Sequence, residues 1–267
     1  MPDNMTRTAA KADKTSVAAT TRWLAGLAIF AWVLRSLIVA PFSIPTGSML
    51  PTMAIGDYLF VWKWPYGFSR YSFPAQIPSF DGRLMSSLPE RGDVVIFKRP
   101  DARGADWVKR VIGLPGDTVA VSRGVLILNG RPVPKQSVGT IAMKISPNSP
   151  CRFVPAASPC PYPAFRETLP GGRSYVTLDQ VEGSPADDFA ATKVPPGHLF
   201  LMGDNRDDSL DSRFSLDEGG VGLVPTDRLV GRAAFAFWST DGSASYSKPW
   251  TWISALRMGR IGTSYQP

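Results

Sequence analysis

The sequence predicts a mainly β protein behind a single N-terminal transmembrane helix. Three observations carry the prediction. An apolar run, Trp23 to Ala40, lies close to the N-terminus. Short β-rich runs follow it, broken by turn residues. The 267 residues include 24 glycines and 25 prolines, above the ordinary share of ~12% for the two together. That composition argues against coiled coils and helical bundles. A hydrophobic content of 44% excludes wholesale disorder.

Residues 1–22 form a small polar tail in which Arg7, Lys11, Lys14 and Arg22 outnumber Asp3 and Asp13. The run from Trp23 is interrupted only by Gly26, Arg35 and Ser36. Eighteen helical residues at ~1.5 Å each cover about 27 Å, close to the ~30 Å hydrocarbon core. A cleavable secretory signal would share this outline. Ser36-Leu37-Ile38 and Ile38-Val39-Ala40 each meet only half of the small-residue requirement for cleavage, and Pro41 follows the second, so an uncleaved anchor over 23–42 is expected. Arg35 lies within two turns of Pro41 and can snorkel to the headgroups. Positive charge before the span places the N-terminus in the cytoplasm and residues 43–267 outside. The net charge of +7 then fits anionic lipid better than nucleic acid.

Beyond the anchor, strands are expected at 57–62, 93–97, 107–112, 118–121, 125–128, 198–202 and 229–235, with hairpin corners at Arg123-Gly124 and Asn129-Gly130. Residues 136–192 lack long apolar runs and are rich in Pro, Ser and Gly, which predicts an insertion or long loop system. Within it, Cys151 and Cys160 suit one local disulfide outside the cytoplasm; the alternative is a pair of unlinked thiols. Residues 58–73 carry eight aromatics and two cations. They suit either a headgroup zone or an aromatic core.

Three segments carry candidate chemistry. Ile44-Pro45-Thr46-Gly47-Ser48-Met49 is a turn that can project a hydroxyl just past the anchor. Asp106-Trp107-Val108-Lys109-Arg110-Val111-Ile112 reads as a strand, so Lys109 and Arg110 fall on opposite faces and one cation is held against apolar neighbours. That cation is either a snorkelling edge residue or a desolvated lysine acting as a neutral base. Moving its pKa from ~10.4 to about 8 takes ~3.3 kcal/mol, within reach of burial. Gly203-Asp204-Asn205-Arg206-Asp207-Asp208-Ser209-Leu210-Asp211-Ser212-Arg213 is a dense polar loop. It lacks the glycine and terminal Glu of a calcium-binding EF-hand, and Arg206 and Arg213 would compete with a cation, so a buttress of Asp–Arg pairs is expected and no metal. The single histidine, His198, leaves little room for a Ser-His-Asp triad or an imidazole metal site.

In this order behind an anchor, the run RSLIVAPFSIPTGSMLPT, the strand RGDVVIF, and the blocks DWVKRVIGLPGD and GDNRDDSLDSRF resemble the type I signal peptidase family. These are membrane-bound serine endopeptidases that remove signal peptides from exported proteins. The resemblance covers residues 35–238 in blocks and leaves 136–192 unmatched. It implies a β-rich, partly barrel-like catalytic core in the bacterial inner membrane, preproteins and membrane phospholipids as partners, and no cofactor. It also implies Ser48 as nucleophile, Lys109 as general base and Ser209 as the hydroxyl orienting the lysine amine. The Ser48 N–H and the position-46 hydroxyl would form the oxyanion hole. Thr46 departs from the commoner Ser there but keeps the hydroxyl. Arg110, Asp204, Asp211 and Arg213 match supporting ion pairs, and Ile44, Met49, Met53, Trp107 and Val108 match small substrate pockets. His198 has no catalytic role in this scheme. Two rivals predict something else: a membrane-tethered β-domain without activity, and a self-cleaving Ser-Lys repressor relative, which would carry a DNA-binding segment ahead of Ser48.

Overall fold

The N-terminal helix runs from Asp3 to Val33 and ends in a five-residue π-turn, Leu34–Ile38. The computed structural model describes residues 3–101, 104–149, 151, 159–245 and 247–266. The apolar part of the helix, Val17–Ile38, is 22 residues long and mostly exposed, with Ser36 buried near its end. It is long enough to cross a bilayer, at about 33 Å. Residues 39–42, expected in the anchor, are strand instead: Val39–Ser43 pairs antiparallel with Asp57–Trp62, from Val39↔Trp62 to Ser43↔Tyr58. Pro41 explains the early stop, since it cannot donate to a helix and turns Ala40 away from helical angles.

That strand is the edge of a seven-stranded antiparallel sheet. Its order is Val39–Ser43, Asp57–Trp62, Leu229–Ser239, Val94–Lys98, Asp106–Gly113, His198–Met202 and Val224–Pro225. One face buries Ile44, Met49, Met53, Leu59, Val61, Ile96, Val108 and Ala236 in a continuous apolar cluster. The predicted strands at 57–62, 125–128 and 198–202 have their expected limits, and the others lie within a few residues of them. The two hairpin corners are as predicted, with positive φ at Arg123 and Gly124 (47° and 71°) and at Asn129 and Gly130 (53° and 75°). This is the twist that lets two-residue turns match paired strands.

The insertion is more ordered than its composition suggests. Lys135–Met143, Cys160–Thr168 and Ser174–Leu178 form their own three-stranded sheet, and Phe189–Lys193 joins Thr118–Ser122 in a four-stranded one. Pro161 and Pro163 disguise the central strand. They lie beyond the end of its ladder with Ser174–Leu178, which stops at Ala164, and Pro163 needs only its carbonyl on that side, where it accepts the Asp179 N–H at 3.2 Å. Cys151 and Cys160 are bridged, with Cα atoms 5.5 Å apart, and pack with Leu50, Tyr162 and Leu178. The bridge thus ties the insertion sheet to the turn that carries Ser48.

The aromatic segment is divided between core and surface. Tyr66 and Tyr71 are buried, whereas Tyr58 and Trp64 are exposed. Trp32 of the helix stacks on Phe73 at 5.9 Å, which places this segment against the apolar span.

Closing so short a loop with a disulfide is worth about 2–3 kcal/mol. Replacing Cys151 and Cys160 together by alanine is expected to lower unfolding stability by about that much, measured by denaturant titration. A stability unchanged within error would show that the bridge does not hold the insertion.

Candidate functional site

Three segments distant in sequence meet because of strand order. Ser48 lies in the turn joining the first two strands, and Lys109 lies on Asp106–Gly113. The neighbouring strand His198–Met202 pairs Met202 with Arg110, so its chain leaves the sheet beside Lys109 and runs directly into the 203–213 loop. Lys109 Nζ donates to Ser48 Oγ at 2.6 Å. Both residues are buried, at 3% and 7% exposure. Burial is the largest influence on the Lys109 amine and lowers its pKa to about 8; Asp211 pulls it up and Arg213 pushes it down. Of the two sequence readings for this cation, the snorkelling one is excluded.

The contact opens on a groove of about 890 Å³ whose walls include Ile44, Thr46, Ser48, Trp107, Val108, Lys109 and Ser209. Among the described residues, neither the Ser48 N–H nor the Thr46 hydroxyl donates a hydrogen bond. Both residues line the groove. Met49 and Met53, expected in the substrate pockets, are not on this wall. They are fully buried in the sheet core. The turn after Ser48 winds inward, with Met53 N bonding Met49 O at 2.9 Å, and carries both side chains under the sheet. Phe42, Leu50 and Ile96 line the groove instead.

The supporting ion pairs form as the sequence suggested. Arg110 holds Asp204 through two bonds, Nε–Oδ1 at 2.7 Å and Nη2–Oδ2 at 2.6 Å, and Thr52 adds its hydroxyl to the same carboxylate. Asp211 accepts Arg213 Nε at 2.9 Å and Nη2 at 2.8 Å, together with the Gly203 N–H. Burial would raise the Asp211 pKa, but Arg213 and this N–H outweigh it and leave the carboxyl lowered. Ser209 differs from expectation. Its hydroxyl donates to Asp211 Oδ2 at 2.8 Å rather than engaging the Lys109 amine. A charged acceptor holds the single hydroxyl proton more strongly than a neutral amine would. His198 sits at a strand end with Nδ1 3.1 Å from Pro196 O, off the groove wall.

Sequence reasoning missed three contributors. Gly203 is one: a Cβ there would lie 2.2 Å from Ser209 Oγ and 2.5 Å from Ser48 O, so only glycine lets the loop close on the Ser48 turn. Arg206 is the second, paired with Glu167 of the insertion sheet at 2.6 Å, both fully enclosed. Asn205 is the third and bonds the Ser48 turn directly. The first and third are spelled within the GDN string, but their reach across the fold is not.

A helix able to span a membrane, a half-barrel β-domain, and a buried lysine on a serine hydroxyl define a membrane-associated hydrolase-like domain. The sequence profile of the family "Signal peptidase, peptidase S26" matches residues 17–238, and the chain belongs to that family. Among its relatives are proteins named Signal peptidase I from Rickettsia typhi and from Rickettsia canadensis. Each is 36% identical over 250 residues, covering 86% of this chain and 87% of the relative. A solved signal peptidase I from Enterococcus faecalis V583 is 27% identical, covering 55% of this chain and 97% of that one at a TM-score of 0.29.

Gly203→Ala is expected to keep the fold while forcing Ser209 or the Ser48 turn aside. Displacing a reacting group by about 1 Å costs roughly 100-fold. We expect that loss in kcat/KM for precursor cleavage, and activity within a few-fold of wild type would show that the loop can yield there.

Proposed function

We propose that this chain cleaves N-terminal signal peptides from exported preproteins after small residues, with Ser48 as nucleophile and Lys109 as general base. The 2.6 Å contact between Lys109 Nζ and Ser48 Oγ at the floor of a groove carries the reading. A neutral Lys109 accepts the Ser48 proton as Oγ attacks the scissile carbonyl carbon. The carbonyl oxygen becomes an oxyanion facing the Ser48 N–H and the Thr46 hydroxyl. When the C–N bond breaks, Lys109 returns the proton to the leaving amine. An acyl group remains on Ser48, and water, deprotonated by the same amine, releases it.

Walls formed by Ile44, Ile96, Trp107 and Val108 favour short side chains beside Ser48. A preprotein held by its signal helix in the bilayer would meet the groove at the membrane surface. The same setting makes phospholipid the natural neighbour of exposed Trp64, Trp250 and Ile253, and of the Trp32–Phe73 stack. We place the N-terminus in the cytoplasm and the β-domain outside the bacterial inner membrane, from the charge ahead of the span. No step of this mechanism uses a metal or cofactor.

Ser48→Ala and Lys109→Met are each expected to abolish cleavage of an exported precursor by the detergent-solubilised protein, without loss of thermal stability. Because Lys109 acts only when neutral, kcat/KM should climb about tenfold per pH unit up to its pKa of about 8 and then level off. Substantial activity in either variant, or a rate flat from pH 6 to 10, would remove the dyad.

Thr46→Val tests the oxyanion donor, since it keeps volume and branching and deletes only the hydroxyl. Losing one such donor costs roughly 100- to 1,000-fold in kcat. KM should move little, and Thr46→Ser should stay within about tenfold of wild type. A Thr46→Val enzyme with normal kcat would show that the hydroxyl does not meet the oxyanion.

A further inference from the structure

The Ser48 N–H and the Gly47 carbonyl belong to one planar peptide unit and point in opposite directions. Whatever holds that carbonyl therefore aims that N–H. Gly47 O accepts the Leu50 N–H at 3.1 Å from within the turn. It also accepts Asn205 Nδ2 at 3.1 Å, from a residue 158 positions along the chain. The next carbonyl, Ser48 O, accepts the Asn205 backbone N–H at 3.0 Å. One residue thus grips the carbonyls on both sides of the nucleophile.

Asn205 is itself immobilised. It is 1% exposed, and Leu178 forms a parallel bridge to it while donating its N–H to Asp204 O at 2.8 Å. Gln180 Nε2 donates to Asn205 Oδ1 at 2.8 Å, which decides the orientation of the amide: its oxygen faces Gln180 and its N–H group faces Gly47. The clamp matters because position 47 is glycine. With no Cβ, its backbone torsions are the softest in the turn, and the peptide plane that follows would swing without an external hold.

We propose that Asn205 is a positioning residue for the oxyanion site, fixing the 47–48 peptide plane so that the Ser48 N–H faces the groove before substrate arrives. The inference rests on the assignment of Ser48 as nucleophile. Preorganised donors stabilise a developing oxyanion because they need no reorientation during the reaction. Loosening Asn205 therefore acts on the transition state and leaves the substrate pockets as they are.

The test uses the full-length solubilised chain carrying Asn205→Ala or Asn205→Asp. The aspartate keeps the shape and turns the donor into an acceptor. Both should lower kcat about 10- to 100-fold with KM within about threefold. Two peptides ending in alanine separate oxyanion loss from general disruption. A peptide aldehyde adds Ser48 Oγ to its carbonyl carbon, passes the Oγ proton to Lys109 and puts the charge on oxygen. The matching peptide alcohol forms no oxyanion. Aldehyde affinity should fall in step with kcat while alcohol affinity holds. A kcat within about threefold of wild type, or equal weakening of both peptides, would overturn the proposal. Should the Asn205 variants not fold, Gln180→Leu decides: it removes only the donor that orients the amide, and a several-fold fall in kcat at constant KM is expected, an unchanged kcat being the contrary result. Ser48→Ala, assayed alongside, separates the two levels. Activity there removes the nucleophile assignment, whereas an inactive Ser48→Ala beside fully active Asn205 variants removes only this inference.

Discussion

The rest of the site depends on keeping the Lys109 side chain dry. Its stem passes through the sheet core and its amine meets Ser48 with 3% of the residue exposed. A buried ammonium is unfavourable, and a drop in pKa from 10.5 to about 8 corresponds to roughly 3 kcal/mol of preference for the neutral form. A full carboxylate partner nearby would cancel that preference. Asp211 is such a neighbour, yet its two oxygens are taken up by Arg213, Ser209 and the Gly203 N–H. Arg213 therefore does for Lys109 what distance would otherwise have to do: it neutralises the charge that would hold the proton on the amine.

The same constraint explains why buried charge is so dense around the groove. Arg110 with Asp204, Arg206 with Glu167, and Arg213 with Asp211 are three ion pairs with little or no exposure. Such pairs add little net stability, because desolvation offsets the attraction. What they contribute here is geometry. Each joins the 203–213 loop to a different element: the Asp106–Gly113 strand, the insertion sheet, and the loop's own return. A loop of this length held by apolar contacts alone could slide, whereas bidentate pairs have one register.

How much of this could be read in the sequence follows from the range of the interactions. Alternating β-rich runs and the Arg-Gly and Asn-Gly corners are local, and they were legible to within a few residues. So was the apolar span, although Pro41 ended it sooner than hydropathy implied. The insertion strands were not legible. Pro161 and Pro163 argue against a strand unless one knows that the neighbouring strand stops at Ala164. Resemblance paired Ser48 with Lys109, each within a continuous motif, and the two side chains meet at 2.6 Å. It misplaced Met49 and Met53, because alternation along a strand says nothing of a turn that winds into the core. It also missed the bond from Ser209 to Asp211, which depends on competition between two acceptors.

The position of Ser48 relative to the helix is set by arithmetic. The helical span ends at Ile38, and five strand residues follow before the turn. At ~3.3 Å per residue they extend about 17 Å, and the strand is locked in register against Asp57–Trp62 along its whole length. The Ser48 turn is therefore attached to the span by a paired strand and not by a flexible linker. That rigidity confines the Ser48 hydroxyl to a narrow range of distances from the helical span. The Trp32–Phe73 contact supports it from the other side by bracing the 64–80 segment on the helix. On the proposed assignment of Ser48 as nucleophile, selection of the bond to be cut would have two parts: the depth at which the groove is held, and the small space between Ile44, Trp107 and Val108 that admits the side chain beside it.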